Sequence, residues 1–567
     1  MASDPVGENQ RDRGPLLPTA SDRPGLPGWL ATVDHKRVGR RYLLTALVFF
    51  VIAGVLAMLM RIQLSEPTND FLGPARYNQL FAMHGAMMLL LFAMPVMQAV
   101  AVYIIPLMIG ARRIALPGLN AFSYWMYLFG GMMALAAFLL DGTEPAPGRH
   151  ADAWTVIVVS SGLAALCVAV ALIATLLGMR APGMTLRRMP LFAWSMLVAS
   201  MVAIVAMPVM MFDVALPHAD RIAAVEYGRP VTCILLIPAM GMISSIVETF
   251  SRRPVFGYPA MVAALFATGL FAFGPWAQHV SDDGMRVAIG MAIAIPIGVQ
   301  FFCWVATLWT GKPTVTAPLL FVLGFMVLFA LGAITAAMLA PLPSGARLRG
   351  SYFEVAQLHY VLIGGAVFPL MGALYYWFPK FSGRMLSESF GRLQFWLLFI
   401  GVNVTFLPMH LLGWLGMPRN VYTYPVGMGW NLPNMVASLG SWIIAGSVLV
   451  FAFNIFYALR AGRPAGDNPW RAPTLEWATL SPPAPGNFAA VPTVLGREPL
   501  WPIDTALPLK AGLATDRREA PPAAPAEAHS TTHAAMTAPS IWPLLCALAL
   551  TALISWTILG HGIRLGA

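Results

Sequence analysis

Long apolar segments recur along most of the chain, and short polar segments separate them. Each is about as long as the roughly 20 residues that an α-helix needs to cross the hydrocarbon core of a bilayer. The pattern predicts twelve membrane-spanning helices and, after a polar stretch rich in Pro and Ala, a thirteenth. Their predicted ranges are 42–61, 79–108, 120–140, 154–178, 190–212, 230–250, 258–279, 286–309, 316–341, 352–377, 392–414, 434–459 and 540–560. The predicted fold class is therefore an all-α polytopic membrane protein.

Composition strengthens this prediction. Of the 567 residues, 58% are hydrophobic and only 11% are charged, a balance that excludes a soluble globular protein of this length. The formal net charge of +10 is compatible with nucleic-acid binding, but Lys and Arg lie in short loops between apolar segments, where they orient a chain in the membrane. We therefore expect membrane lipid around the chain and no nucleic-acid partner.

The same basic loops predict the orientation of the chain. Segments such as HKRVGRR, GARRIALPG, GMRAPGMTLRR and SRRPVFG fall on one side, which should be the cytoplasm together with the N-terminus. Loops on the other side are acidic or neutral, with PLPSGARLRG as an exception. We expect a disordered cytoplasmic N-terminal tail at 1–28, a twelve-helix domain at 29–461, a polar cytoplasmic segment at 462–539 and a thirteenth membrane helix at 540–562.

Two histidines lie in predicted spans near the outer membrane surface. In the predicted topology, His84 and His359 both sit roughly 8 to 12 Å inside that surface. Ionisable groups are costly there and are candidates for a functional role. A pair of neutral imidazoles from two helices can hold a haem iron, but a proton relay or a hydrogen bond to a neighbouring carbonyl fits the same pattern. Depth leaves these alternatives open.

Seven stretches carry motifs that are specific to one family. They are WLATVDHKRVG at 29–39, MHGAMMLLLFAMP at 83–95, IPLMIGA at 105–111, IVETFSRRPVFGYPAMV at 246–262, QLHYVLIGGAVF at 357–368, LPMHLLGWLGMPRN at 407–420 and NPWRAPTLEW at 468–477. In this order they resemble subunit I of the cytochrome c oxidase type in the haem-copper oxidase family. The resemblance implies the family's twelve-helix bundle, here with one extra C-terminal transmembrane helix, and a bacterial inner membrane.

The resemblance implies that one haem site is retained. In the family, a histidine on the second helix and the last histidine of an HxH pair on the tenth hold a low-spin haem, and these match His84 and His359. A family arginine near that haem matches Arg61. Arg419 matches an arginine that binds a haem propionate, while Asn420 replaces the second arginine of the MPRR motif. One low-spin haem is therefore expected.

The family's catalytic pocket is mostly replaced. Gln357 stands where the first histidine of the HxH pair carries the oxygen-reacting haem. The copper-binding histidine of the HPEVY motif is Arg229, and its tyrosine is Cys233. The paired histidines of the WAHH motif read Gln278 and His279, so only His279 remains. A guanidinium stays protonated at ordinary pH, and we expect no copper; a second haem on Gln357 stays an open but weaker alternative.

The resemblance also implies that residues of the family's proton-delivery pathways are replaced. The aspartate at the mouth of the family's D pathway matches Arg113, and the glutamate of its sixth helix matches Val231. The lysine of its K pathway matches Gln300. Because the reduction of oxygen consumes protons, we expect neither oxygen reduction nor proton pumping by the family's routes.

The outer side also departs from the family. Its magnesium-binding aspartate matches Gly350, and Arg349 stands in place of the neighbouring histidine. Glu354 is a carboxylate inside a predicted span, where an unpaired charge is costly. We expect Glu354 to pair with Arg229 or Arg349 in a structural role, with proton transfer as the alternative.

The leading hypothesis is a subunit I-like haem protein that passes electrons through one low-spin haem in a respiratory-type complex. Its partners are then subunit II-like and subunit III-like membrane proteins, with cytochrome c or quinol as electron donor. A second hypothesis is an active terminal oxidase or small-molecule reductase with an atypical pocket of Gln357, Arg229, Cys233 and His279. A third is a structural, assembly or haem-sensing role. The replacements concentrate in one pocket and its proton routes, which favours specialisation over decay.

Overall fold

The computed structural model describes residues 25–140, 149–215, 228–273, 291–339, 348–488, 491–501, 519–520, 534–535 and 538–564. Its helices are α1 (Leu26–Ala31), α2 (His35–Gln63), α3 (Pro74–Met108), α4 (Pro117–Leu140), α5 (Arg149–Gly178), α6 (Leu191–Ala215), α7 (Gly228–Ser251), α8 (Tyr258–Phe271), α9 (Ala294–Thr310), α10 (Ala317–Met338), α11 (Tyr352–Ser382), α12 (Glu388–Trp414), α13 (Asn431–Ala461) and α14 (Trp542–Arg564). Short 3₁₀ turns cover Leu186–Arg188 and Leu475–Ala478, and the strands β1 (Glu519–Ala520) and β2 (Ala534–Ala535) pair antiparallel.

The helical membrane fold is confirmed. Within the described residues, ten helices are long and apolar enough to cross a bilayer. The other three predicted spans fall on the shorter apolar helices α8, α9 and α14. Most of the tail expected at 1–28 lies outside the described residues, which begin at residue 25.

Side-chain caps start two of the helices. One of these helices begins before its predicted apolar segment, and the other begins at the first residue of that segment. α2 begins at His35, seven residues before the predicted span, and the Asp34 carboxylate accepts a hydrogen bond from the Lys36 backbone N–H (2.7 Å). α11 follows Ser351, whose hydroxyl accepts one from the Phe353 N–H (3.2 Å). Such caps satisfy backbone donors at a helix start, which a hydropathy pattern does not register.

Helix α2 shows how the bundle sits between lipid and core. Its outward face carries side chains that are each more than half exposed: Leu44, Val48, Val51 and Val55. Its inward face carries buried side chains: Tyr42, Ala46, Phe49, Ala53, Leu56 and Met60. Both faces are apolar because lipid tails are as apolar as a protein core. The length of an apolar segment is therefore a better predictor of these helices than its periodicity.

Neighbours along the chain pack against each other, as α4 does on α5, α5 on α6, α6 on α7 and α12 on α13. α14 returns to pack against α4 and α5, where the Thr551 hydroxyl donates to the Met126 sulfur (3.4 Å).

The polar stretch after α13 also folds back onto the bundle. There, the Trp477 Nε1–H donates to the Tyr376 hydroxyl (2.9 Å). The part of this stretch around Trp477 is thus attached to the membrane helices.

Two helices widen inside the membrane. Residues Met87–Ala93 of α3 and Tyr360–Val367 of α11 form π-helical segments. Each segment is followed two residues later by a proline, Pro95 or Pro369. A proline lacks the N–H, and its ring collides with the carbonyl four residues earlier, so a wider turn accommodates it. The two widened segments directly follow the parts of α3 and α11 that carry the candidate histidines.

Candidate haem-binding site

His84 lies on α3, three residues before the π segment, and is half-buried. Its Nδ1 lies 2.9 Å from the carbonyl oxygen of Ala53 on α2. A carbonyl oxygen only accepts, so Nδ1 carries the proton, and Nε2 keeps its lone pair in the neutral ring. Histidines that ligate a metal through one nitrogen usually donate the other N–H to such an acceptor. His84 therefore has the orientation and tautomer of a metal ligand.

His359 has the same arrangement at the end of the first α-helical part of α11. Its Nδ1 lies 2.7 Å from the carbonyl oxygen of Val355, one turn earlier on the same helix. Its ring stacks on Phe406 of α12, with centroids 4.4 Å apart and planes 15° apart. The hydrogen bond sets the tautomer, and the stacking restricts rotation of the ring.

The two histidines lie on different helices, α3 and α11, and close enough for His84 to act electrostatically on the ring of His359. Among the described residues, neither Nε2 atom has a hydrogen-bond partner. A side chain added at Gly85 would meet nothing within 4 Å, so the helix surface directly after His84 is open. The two neutral imidazoles, each with an unused Nε2, would fit a haem iron held by one histidine from each helix.

Arg61 lies buried near the end of α2 and faces α13. One terminal nitrogen of its guanidinium donates to the Asn434 carbonyl (2.9 Å), the Asn434 side-chain oxygen (3.0 Å) and the Ser438 hydroxyl (3.1 Å). The other terminal nitrogen and Nε are buried and have no hydrogen-bond partner among the residues that the structure describes. A buried charge with unused donors suits an acidic or carbonyl group of a cofactor.

Arg419 lies on the loop between α12 and α13, and its guanidinium donates to the Glu354 carboxylate (3.1 Å). Glu354 therefore pairs with Arg419 and not with Arg349, while the side chain of Arg229 lies outside the described residues. The reason is the backbone: the Arg419 N–H donates to the Gly350 carbonyl (2.9 Å), which fixes this loop beside the start of α11. Arg419 uses part of its five-donor fork on Glu354, and the rest can contact an anion.

The replaced catalytic pocket is partly described. Gln357 is half-buried on α11, and Cys233 is buried on α7. Arg229 lies in the first turn of α7, and its side chain is outside the described part, as are Gln278 and His279 entirely. Among the described residues, no group of three or more His, Cys, Asp or Glu side chains could hold a metal ion.

The membrane interior is closely packed at Gly365, eight residues after Gln357 on α11. A side chain added at Gly365, on the π segment of α11, would come within 2.6 Å of Leu236 on α7 and 2.7 Å of Phe329 on α10. Phe329 in turn stacks with Phe325 (centroids 5.4 Å apart) and with Phe301 of α9 (6.1 Å). This aromatic cluster fills the space between α9, α10 and α11.

Gln300 occupies the matched K-pathway position on α9 and is fully buried. Its Nε2 donates to the Thr268 hydroxyl of α8 (3.2 Å) and to the Pro296 carbonyl (3.3 Å). An amide has no proton to transfer at ordinary pH. Val231, at the matched glutamate position, is buried on α7. Neither position offers a titratable group.

A sequence model of the family described as "Cytochrome C and Quinol oxidase polypeptide I" matches residues 37–443. The chain belongs to this haem-copper oxidase family. It is 38% identical to a probable cytochrome c oxidase subunit 1-beta of Nocardia farcinica, over 86% of this chain and 91% of that relative. It is 36% identical to the cytochrome c oxidase subunit 1 of Bacillus subtilis, over 83% of this chain and 82% of the relative. The chain is thus a subunit I-like member of the haem-copper oxidases and a polytopic membrane protein.

The π segments of this haem-copper oxidase chain were missed from the sequence. A signal was present, because Pro95 follows His84 by eleven residues and Pro369 follows His359 by ten. Two intramembrane prolines at nearly equal distance from two candidate ligands predict a similar helix distortion at both. The partners Ala53 and Val355 carry no such signal, because any residue can supply a backbone carbonyl.

Proposed function

We propose that this chain holds one low-spin haem between His84 and His359 and passes electrons within a respiratory-type complex, without reducing oxygen or pumping protons. The observation that carries the proposal is the matched pair of rings, each with Nδ1–H on a backbone carbonyl and with Nε2 free for a metal. A haem with two imidazole ligands supplies reversible one-electron transfer and has no open iron position.

The protein's part in this function is to hold the ligands and to balance charge. The carbonyls of Ala53 and Val355 keep the protons on Nδ1, so both rings stay neutral and oriented. Arg61 and Arg419 would supply positive charge for the propionate groups of the haem. Arg61 has buried N–H donors that are unused, and Arg419 uses only part of its guanidinium on Glu354. A fixed ligand geometry favours electron transfer because little rearrangement accompanies a change of oxidation state.

The replaced residues support the absence of oxygen chemistry. Gln357, Arg229, Cys233 and Gln278 stand at the family's ligand and tyrosine positions, with His279 alone retained. An amide is a weak iron ligand, and a protonated guanidinium does not bind copper. We therefore infer one haem per chain and no copper. Gln300 and Val231 likewise remove the titratable groups of the family's proton routes.

We infer that the chain works in a bacterial inner membrane with its N-terminus in the cytoplasm. The basic loops support this orientation. The proposal includes the four-part division at 1–28, 29–461, 462–539 and 540–562. The electron donor is cytochrome c or quinol, and the partners are a subunit II-like and a subunit III-like membrane protein.

The names of the relatives favour a second candidate, an active terminal oxidase or small-molecule reductase. Both the Nocardia and the Bacillus proteins are named as cytochrome c oxidase subunits. Such an activity would need an open iron position near Gln357. A third candidate, a structural, assembly or haem-sensing role, would use the same haem without turnover.

One set of spectra separates these candidates. The purified complex is reduced, and its spectrum is recorded with and without carbon monoxide, alongside iron and copper analysis. We expect a low-spin haem spectrum, no shift with carbon monoxide, one iron per chain and no copper. A carbon monoxide-sensitive band would overturn the proposal in favour of the second candidate. Reduction without re-oxidation by any partner in native membranes would favour the third.

The ligand assignment has its own test. His359→Ala and His84→Ala should each abolish the low-spin spectrum, because the iron loses an axial ligand. The matched control is Gln357→Leu, two residues away on α11, which should leave the low-spin spectrum unchanged. Survival of that spectrum in either histidine variant would refute the assignment.

A further inference from the structure

A second arginine is buried in the membrane helices without a role in the proposed haem site. Arg41 lies six residues after the start of α2 and is only 5% exposed. It belongs to one of the helices that cross the bilayer. Placing a guanidinium there is costly unless an anion or several acceptors compensate its charge.

Aromatic rings surround the guanidinium of Arg41. Its central carbon lies 4.1 Å from the ring centroid of Trp29 on α1, 5.5 Å from that of Trp125 and 5.8 Å from that of Tyr124, both on α4. Aromatic stacking uses the faces of the guanidinium and leaves the in-plane N–H groups at its edges unused.

These N–H groups have no acceptor. All three side-chain nitrogens of Arg41 are buried and lack a hydrogen-bond partner in the part of the chain that the structure describes. Within the described ranges, no carboxylate forms an ion pair with Arg41 either. Five unsatisfied donors on one buried cation would be strongly destabilising, so the site lacks an anionic partner.

The surroundings place Arg41 at a membrane surface. Trp29 is 44% exposed, and Trp542 at the start of α14 is 70% exposed. The Ser540 N–H donates to the Ala31 carbonyl (3.0 Å), so α1 and the start of α14 lie together. Tryptophan collects at the level of lipid headgroups, and the basic loops of this side indicate the cytoplasmic leaflet.

The outer face of α2 continues from this point into the lipid. Leu44 (65% exposed) and Val48 (59% exposed) follow Arg41 at the helical spacings of three and seven residues. Residues so spaced share one face of a helix. A molecule with a phosphate at Arg41 could therefore lay its acyl chains along this apolar face.

We propose that Arg41 binds the phosphate of a phospholipid of the cytoplasmic leaflet, in a site formed by α1, α2, α4 and the start of α14. A guanidinium holds a phosphate with two parallel N–H···O bonds. Trp29, which is the exposed one of the three rings, moves aside to admit the phosphate oxygens to the guanidinium edge. This inference is independent of the proposed electron-transfer function.

The test uses the full-length chain in detergent, titrated with phosphatidylglycerol in mixed micelles, with bound lipid counted by native mass spectrometry. Arg41→Gln should weaken the tightest site about tenfold, because a charge-assisted bidentate contact is lost. The matched control is Arg40→Gln, which removes the same charge from an exposed neighbour on α2 and should leave this site unchanged.

Arg41→Lys covers the case in which Arg41→Gln does not fold. It keeps the charge but lacks the planar guanidinium, so lipid binding should weaken by a smaller factor than in Arg41→Gln. Unchanged lipid binding in Arg41→Lys or in Arg41→Gln would overturn the proposed site. An equal loss in Arg40→Gln would indicate general surface charge and would also overturn it. Excess inorganic phosphate should not displace the lipid. If it does, the site takes a free phosphate ion and the lipid assignment is wrong.

Discussion

An imidazole can bind a metal through one nitrogen only when its proton sits on the other. At both candidate ligands, a backbone carbonyl decides where that proton sits: Ala53 for His84 and Val355 for His359. The two histidines could be predicted from the sequence because each is an ionisable residue inside an apolar segment. Their carbonyl partners could not, because a carbonyl is common to all residues. The His84 partner also depends on which helices are neighbours.

The ion-pair partner of Glu354 could not be predicted from the sequence either. Arg349, five residues before Glu354, is one partner expected from the sequence, but among the described residues the carboxylate contacts Arg419, which is sixty-five residues away along the chain. Two backbone contacts, from Arg419 to Gly350 and between Ser351 and Pro418, bring this loop to the start of α11. Such a contact follows from the tertiary path and has no signature in a local pattern.

Arg61 leads to a prediction about both stability and the haem. Arg61→Leu removes three hydrogen bonds between α2 and α13 and should destabilise the protein by about 2 to 4 kcal/mol, since hydrogen bonds to a charged group are worth more than neutral ones. The low-spin absorption maximum should also shift, because a nearby positive charge is lost. Thermal unfolding and visible spectra check both effects.

The control for this prediction is Arg61→Lys, which keeps the charge but cannot reach all three acceptors. It should retain the absorption maximum and lose part of the stability. If Arg61→Leu leaves the spectrum unchanged, Arg61 has only a structural role.

At the scale of helices, close contacts depend on glycine at particular places. In α13, a side chain added at Gly440 would come within 2.5 Å of the Thr405 backbone nitrogen and hydroxyl on α12. A side chain added at Gly446, on the same helix, would meet nothing within 4 Å. Both glycines look alike in the sequence, since the pattern does not say which turn of α13 faces α12.

These two glycines form a matched pair for a packing test. Gly440→Ala should cost about 1 to 3 kcal/mol, because α13 must move away from α12. Gly446→Ala should be neutral or slightly stabilising, because alanine favours a helix more than glycine does. Thermal unfolding of the two variants in the same detergent gives the difference, and equal effects would contradict the described α12–α13 contact.

The segment after α13 is predicted to respond to pH. Glu476 is fully buried in the turn Leu475–Ala478, and burial raises the pKa of its carboxyl from 4.5 to about 7, against the opposing effects of the Thr474 hydroxyl and Lys380. The folded form then binds the proton more tightly than the unfolded form. The free energy that attaches the segment should therefore fall as the pH rises from about 4.5 to about 7, by at most about 3 kcal/mol in total. Above about pH 7 it should stay constant.

Hydrogen exchange in 468–488 measures this attachment. Glu476→Gln, which is neutral at every pH, should remove the pH dependence while keeping the protection seen at low pH. A dependence that persists in Glu476→Gln would point to another titrating group, such as Glu248 on α7, which interacts electrostatically with Glu476.

For the whole molecule, the charges of the loops predict the membrane orientation, and the length of the apolar segments predicts the spans. Those two features carried the prediction of thirteen helices. The fold of the polar stretch after α13 could not be predicted in this way. Its composition is typical of a loop, yet Trp477 contacts Tyr376 and Lys36 donates to Asn487 (2.9 Å). These long-range contacts depend on the finished bundle.

The orientation can be tested by cysteine labelling. In a variant without the four native cysteines, Met428→Cys, on the loop between α12 and α13, should react with a membrane-impermeant maleimide in right-side-out vesicles. Arg463→Cys, after α13, should react only once the vesicles are opened. Both positions are exposed, so accessibility of the side chain is matched. The reverse pattern would invert the predicted topology.

The π segments of α3 and α11 also constrain how this chain can change length. A residue contributes about 100° of rotation to an α-helix. A π segment holds one residue more than an α-helix of nearly the same total rotation. Deleting one residue from Met87–Ala93 would let that segment return to α-helical geometry and leave His84 facing the Ala53 carbonyl. Deleting Gly85 or Ala86 instead would turn His84 by about 100° and break that contact. A one-residue deletion is therefore far better tolerated inside the π segment than in the α-helical turn just before it.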